Sequence, residues 1–567
     1  MKFNQIKAMI PAAALLLAAS VTSCMKDLDK GNIDPNAQAT VNITALYSKC
    51  YAGLIMEGND GNADFTINDA GKSTLLRNVF NFNSLSTDES ICWWSDGGII
   101  DICYNQCQPG TATLRFLYYR LVNNIAFCNQ YLSLDEAQQD KNKLAEVRFI
   151  RAYNYYQMLD FFGDPAFTTA ISSEMPKQAH TYNEKFDETK TYTRAELLAL
   201  GREFLFNWVK NEIETAETDL LDAQPKEDND VNYGRIDKAS AWFLLSRLYL
   251  NAGTYLNNDG QNNAYWDKAL EYAEKVINSS YSLFDDTKIS STAKSNGYRP
   301  YDLLFMGDNG SNGSSCEAIL PLKQDGKVTK GWGGSLFFVA AMWDDKMQNV
   351  TGLGAGTTAN NWSGMRFRPQ FLEKFISDPN KFVDKTTAEI RAMSIDDRAL
   401  FWGKDHTLKL GDNSKFQQGL VTTKWNNNYS TGGTPHDSYD VDIDFFLFRV
   451  AEAYLNAAEA ALQLNQAAKA KTYIDAIRNR AHAVTSGSYS LDDVLDERTR
   501  ELYFEGVRRT DLIRFNQFGG TQATYNWDYK GGYENGGQFD KTRNVFPLPS
   551  SEILANSNLT QIDGYGE

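Results

Sequence analysis

Histidine is scarce in this chain, with four residues in 567: His180, His406, His436 and His482. None falls in an H-E-x-x-H pair, and neither a G-x-S-x-G elbow nor a phosphate-cradling P-loop occurs. The local signatures of zinc hydrolases, serine hydrolases and P-loop nucleotidases are therefore missing. Positive charge is also in deficit, with 56 Lys and Arg against 72 Asp and Glu and a net charge of −16. No Lys/Arg-rich run relieves it, which excludes a nucleic-acid partner, because phosphate binding depends on basic patches that release counterions. Beyond the first two dozen residues no apolar run is long enough to cross a bilayer.

Cysteine is sparse too. Of seven, Cys24 stands apart, leaving Cys50, Cys92, Cys103, Cys107, Cys128 and Cys316. Cys103 and Cys107 are spaced C-x-x-x-C, but no second Cys/His pair accompanies them to complete a metal site. Scattered buried thiols are the expected state, with room for one bridge among the four cysteines from Cys92 to Cys128.

What is present begins at the amino terminus. Lys2 and Lys7 precede the apolar stretch from Pro11 to Ala19, which is too short for a spanning helix and ends in Val21-Thr22-Ser23-Cys24. A cysteine directly after a small residue at this point predicts lipoprotein processing: residues 1–23 as signal peptide and Cys24 as the lipidated first residue. Several acyl chains are needed for a stable anchor. The polar, charged stretch 24–36 reads as a tether. Contact with the membrane is expected through the lipid anchor alone.

The remaining 37–567 exceed the usual size of a single core, and 42% hydrophobic with 23% charged residues is a globular composition. One composite domain is expected, mainly α. In Ala145–Phe162, Ala239–Ala252, Trp266–Ile277, Leu447–Leu464 and Ala467–Ala481, Ala, Tyr and Leu recur at helical spacing. Small and aromatic residues on one face let paired helices approach and stack, the texture of tetratricopeptide-like repeats. Such a helical-repeat scaffold is predicted over about 112–280 and 445–515. A loop-rich ligand-binding lobe with short strands is predicted over about 281–440, where Gly, Asn, Ser, Trp and Asp crowd together.

Tryptophan in polar loops is the notable constellation. Trp93-Trp94 precedes Ser95-Asp96-Gly97-Gly98, Trp332 lies in Lys330-Gly331-Trp332-Gly333-Gly334, and Trp362 in Asn360-Asn361-Trp362-Ser363-Gly364. Indoles flanked by Gly and Asn point to solvent, and their electron-rich faces suit the C–H faces of sugar rings. Asp440, Asp442 and Asp444 mimic the first positions of a calcium loop, although the glycine and the closing glutamate are absent. A short alternating strand, acidic on one face, is the plainer expectation there, with a structural calcium at Asp440 and Asp442 as the sharper one. No cofactor is required. Gly354, Gly356 and Ala359 match a dinucleotide pattern formally, but no strand precedes them. No carboxylate pair is marked as the acid and partner of a glycosidase.

The last third carries a family resemblance. Phe448-Arg449-Val450-Ala451-Glu452-Ala453-Tyr454-Leu455, the run Glu497 to Arg514 (ERTRELYFEGVRRTDLIR), Val545-Phe546-Pro547-Leu548-Pro549 and Gln561-Ile562-Asp563-Gly564-Tyr565 resemble the SusD/RagB family of outer-membrane nutrient-binding lipoproteins. The lipoprotein start and Thr87-Asp88-Glu89 also fit. The resemblance implies a non-catalytic protein on the cell surface, lipid-anchored in the outer membrane, that hands captured nutrient to a SusC-type TonB-dependent transporter. It also implies that Arg508, Arg509 and Asp511 form structural ion pairs in the scaffold. In the family's starch-binding members an arc of aromatics faces a curved α-glucan oligosaccharide. The matching positions here are Trp94, Trp332 and Trp362, with Arg77 matching a hydroxyl-binding arginine. Where the family has an asparagine shortly after the first tryptophan, this chain has Gly97 with Asp96 adjacent. Another glycan or a peptide is the alternative cargo that the same family role allows.

Overall fold

The computed structural model describes residues 41–58, 62–67, 69–256, 262–348 and 361–566. The expected signal peptide, tether and Cys24, and the 354–359 pattern, lie outside the described residues. The chain divides into two compact units, Met1–Leu46 and Tyr47–Glu567.

At 46% helix and 6% strand the protein is mainly α. Among the described residues nine helices carry the scaffold: α1 (Ala112–Leu132), α2 (Lys141–Phe162), α3 (Arg194–Glu217), α4 (Lys238–Leu250), α5 (Asn263–Ile277), α6 (Val450–Gln463), α7 (Ala467–Arg480), α8 (Leu491–Leu502) and α9 (Arg508–Arg514). Neighbours pack as pairs, α1 on α2, α2 on α3, α4 on α5 and α6 on α7, and α6 also packs against α5 and α8. Local chemistry sets the starts. Asp140 caps α2 by accepting from the Lys143 amide at 3.1 Å, and Thr193 with Glu196 forms a capping box on α3. Ala451, Ala453, Ala457, Ala458, Ala460 and Ala461 of α6 are fully buried. These small side chains are what admit helices on several sides of α6. Among the described residues no helix is long and apolar enough to cross a membrane.

Four short strands matter below: β1 (Ser90–Cys92), β2 (Ala318–Leu322), β3 (Met365–Phe367) and β4 (Phe445–Arg449). β1 pairs antiparallel with β3, and β2 with β4. β4 corrects one expectation: Leu447–Arg449, predicted as the first turn of a helix, belong to a buried strand, and the helix starts at Val450. Asp440–Asp444, expected as a strand, is irregular, and pairing begins only at Phe445. No disulfide forms among the described residues. All six cysteines are free, five of them buried, and burial pushes the Cys316 thiol up to about 11.

A buried ion network joins scaffold to lobe. Arg449 at the end of β4 meets Glu317 at 2.7 Å, Glu505 at 2.8 Å and Glu501 of α8 at 3.0 Å. Arg480 of α7 reaches Glu317 at 2.9 Å and also Glu501. Arg398, from the lobe, contacts Asp396 and Glu497 at 2.7 Å and Glu501 at 3.3 Å. Nearby, Arg508 pairs with Asp88 at 2.7 Å, Arg509 with Asp160 at 2.8 Å, and Asp511 with Arg498 at 2.9 Å. All three pairs are buried in the scaffold.

Candidate functional site

The β1–β3 pairing sets Cys92 opposite Met365, which brings 93–94 alongside 362–364. Two indole N–H groups then grip that segment: Trp94 Nε1 donates to the Trp362 carbonyl at 3.1 Å, and Trp93 Nε1 to the Ser363 carbonyl. Ser363 adopts a left-handed φ of 48° at this turn. A Cβ on Gly364 would fall 2.1 Å from Trp94 Cε2, so only glycine leaves room for the ring. Gly364→Ala is therefore expected to displace Trp94, seen as a shift in tryptophan emission. An unchanged spectrum would show that the ring accommodates the methyl.

The Trp332 loop is seated just as closely. A Cβ on Gly331 would meet Glu57 Oε2 at 2.3 Å, and one on Gly333 would meet Thr74 Oγ1 at 2.1 Å. The Trp332 amide donates to Glu57 Oε1 at 3.2 Å, and Thr74 Oγ1 donates to the Gly333 carbonyl at 3.0 Å. Burial pushes the Glu57 carboxyl upward, and the Trp332 amide pulls it back. Arg120 of α1, fully buried, holds the receiving segment by donating to the Glu57 carbonyl at 2.6 Å and the Ser73 carbonyl at 2.7 Å while pairing with Asp64 at 2.6 Å.

These loops bring the three tryptophans into one array. Trp332 and Trp362 are stacked, with centroids 6.2 Å apart and planes 23° apart, and Trp362 meets Trp94 at 6.2 Å and 61°. Trp332 is 40% exposed. Tyr439 adds a fourth ring, edge-on to Trp332 at 5.5 Å. Sequence patterning does not mark Tyr439, because the contact joins distant loops. Its turn is made by Asp437, which accepts from the Tyr439 amide at 2.7 Å and the Asp440 amide at 3.0 Å.

Arg77 is only 5% exposed. Its guanidinium lies 5.5 Å from the Trp94 ring and 4.9 Å from Phe337, and contacts Asp96 at 3.4 Å. Asp96 is held in turn by Lys72 at 2.8 Å. Arg77 thus stands behind Trp94, bordering with Asp96, Gly97 and Lys72 a cavity of about 220 Å³.

The candidate calcium ligands are engaged by the protein. Asp440 pairs with Lys330 at 2.6 Å, which ties the Tyr439 turn to the Trp332 loop. Asp442 accepts from the Tyr429 hydroxyl at 3.0 Å and the His436 amide at 2.9 Å. Asp444 accepts from the Tyr233 hydroxyl and the Gln324 amide, and burial pushes its carboxyl up to about 7. Among the described residues no three His, Cys, Asp or Glu side chains converge as a metal would require. Glu89 is likewise raised to about 7 by burial. Glu89 and Asp444, the acids raised to about 7, are buried at 1% and 3% exposure and so are shielded from the access a glycosidase acid needs.

A family model described as the SusD family matches residues 317–565. The starch-binding protein SusD of Bacteroides thetaiotaomicron is 33% identical over the full length of both chains. SusD-like protein P25 of Formosa agariphila is 25% identical across 67% of this chain and 64% of its own. Among solved structures, a SusD superfamily protein from Parabacteroides distasonis has a TM-score of 0.62 at 19% identity, covering 92% of this chain and 98% of that one. Surface glycan-binding protein A from Bacteroides uniformis has a TM-score of 0.62 at 17% identity with the same coverage. At these identities the two structures share the fold.

Proposed function

This chain belongs to the SusD family, and on that premise we propose that it is a cell-surface glycan-binding protein that captures starch-like α-glucans. Proteins of this family bind carbohydrate without acting on it. The observation that carries the reading is the single array of Trp94, Trp362 and Trp332, extended by Tyr439. Stacked and inclined rings in sequence suit several sugar units of a bent chain, each offering a C–H face to an indole. With 33% identity along the whole chain to a starch-binding protein, α-glucan is the favoured sugar. In the cell the protein would be lipid-anchored at Cys24 in the outer membrane, facing outward, and would pass its cargo to a SusC-type TonB-dependent transporter.

Native gels cast with polysaccharide test the cargo. Amylopectin is expected to retard migration strongly, while xylan and inulin leave it unchanged. Free migration through amylopectin and other α-glucans alike would remove the starch reading, and retardation by a different glycan would replace the sugar.

A further inference from the structure

A second cleft lies in the helical scaffold, remote in sequence from the indole loops. It measures about 730 Å³ and is bordered by Arg202 and Leu198 of α3, Thr254, Trp266 of α5, Gln463 of α6 and Lys541.

Among the described buried arginines, Arg202 alone has neither a carboxylate within ion-pair distance nor several carbonyl acceptors. It is 8% exposed, its Nε is buried without a partner, and its one hydrogen bond is a long 3.4 Å contact from Nη1 to the Thr254 carbonyl. Each of the others has a carboxylate within ion-pair distance or several carbonyl acceptors, Arg77 through Asp96 at 3.4 Å. Arg449, Arg508 and Arg514 meet carboxylates directly. Arg366, with no carboxylate, donates to three backbone carbonyls and the Asn413 amide oxygen.

Among the described residues, none of the acids near Arg202 forms an ion pair with it, Asp492 and Asp563 on the cleft wall included. Asp160 pairs with Arg509 at 2.8 Å and accepts from the Tyr255 hydroxyl at 3.0 Å. Glu459, also on the cleft wall, pairs with Arg514 at 2.6 Å. Burial pulls the Arg202 guanidinium down to about 10, against the partial pull of Tyr255 and Asp160. Gly163 closes its rear: a Cβ there would stand 3.1 Å from Arg202 Nε, and φ of +70° marks the turn that ends α2. The remaining side of the guanidinium faces the cleft, with exposed Lys541 on the rim. A buried, always-protonated guanidinium without a counter-charge is costly, and a carboxylate matches its planar fork.

We propose that this cleft is an oxyanion site in which Arg202 receives a carboxylate. The cleft shares no lining residue with the indole array.

Thermal melting of the intact protein with sodium acetate, against sodium chloride at equal ionic strength, tests it. Acetate should raise the midpoint saturably in the native protein. Arg202→Met should abolish the rise while leaving amylopectin retardation unchanged, and Arg202→Lys, which keeps the charge but not the fork, should weaken the apparent acetate affinity about tenfold. Glucuronate in place of acetate identifies the source: a lower half-saturation than acetate assigns an acidic sugar, and an equal one assigns the bare carboxylate. No rise beyond chloride, or an equal rise in Arg202→Met, would overturn the proposal. Calorimetric titration of the native protein with acetate decides the matter if the methionine variant does not fold.

Discussion

Glu501→Gln should lower the unfolding free energy by about 3–5 kcal/mol, the usual cost of removing one partner from a buried ion pair. Glu501 is fully buried and touches Arg449, Arg480 and Arg398 at once. The amide keeps the volume but removes the charge that three guanidiniums share. Two of them, Arg449 and Arg480, would then depend on Glu317 and Glu505 alone. Guanidinium-induced unfolding measures the loss, and a drop of under about 1 kcal/mol would show that the remaining carboxylates suffice. Adding Arg480→Met should recover part of it, giving a coupling free energy for the pair. Burial alone would raise the Glu501 carboxyl, but the charges of Arg480, Arg449 and Arg398 outweigh it and hold it well below the usual carboxylate range. Its contribution is therefore complete above the unfolded-state pKa of about 4.3 and is lost as pH falls through the depressed folded value. The gap between native protein and variant should narrow below about pH 4.

Trp362→Ala should weaken α-glucan binding by about 2–3 kcal/mol, roughly 30- to 150-fold, at the upper end of what one stacking platform contributes. Trp94→Ala and Trp332→Ala remove rings at one side of the array. Trp362 touches both neighbours, so its loss leaves Trp332 without its stacked partner and opens a gap between the outer rings. The Trp94/Trp332 double variant should lose less than the sum of its singles if one sugar chain spans the array. Calorimetry with a malto-oligosaccharide measures these values, with the urea midpoint as control for folding. A loss under about threefold for Trp362→Ala would mean that the sugar does not rest on this array.

The scaffold was legible because its signals are local. The Ala-rich pattern over Leu447–Leu464 lies within a few residues of α6, and Ala467–Ala481 coincides with α7 but for one residue. The misreading of Leu447–Arg449 has a plain cause. Phe445–Arg449 is a bulky run whose short length cannot distinguish strand from helix, and its partner β2 lies far away in sequence. The three indoles could be picked out because glycine and asparagine around a tryptophan are local too. Tyr439 could not, since its role depends on Lys330 and Asp440 joining two distant loops. Nor could the orientation of Arg77, which the Trp94 ring and the Phe337 ring of a distant short helix enclose. The acidic triplet mimicked a calcium loop in spacing alone. Each of those carboxylates found its own protein partner, which no pattern along the chain records.

The indole N–H groups of Trp93 and Trp94 are already committed to the carbonyls of 362–363. On the proposed reading Trp94 would therefore meet a ligand with its face, because its one donor is turned inward. Its rotor is frozen before any sugar arrives, so capture forfeits little side-chain entropy there. On the proposed reading, the array would work as a mould that tests the bend of a chain more than the stereochemistry of its hydroxyls. Chains of like curvature should share it, and straight ones should slide past.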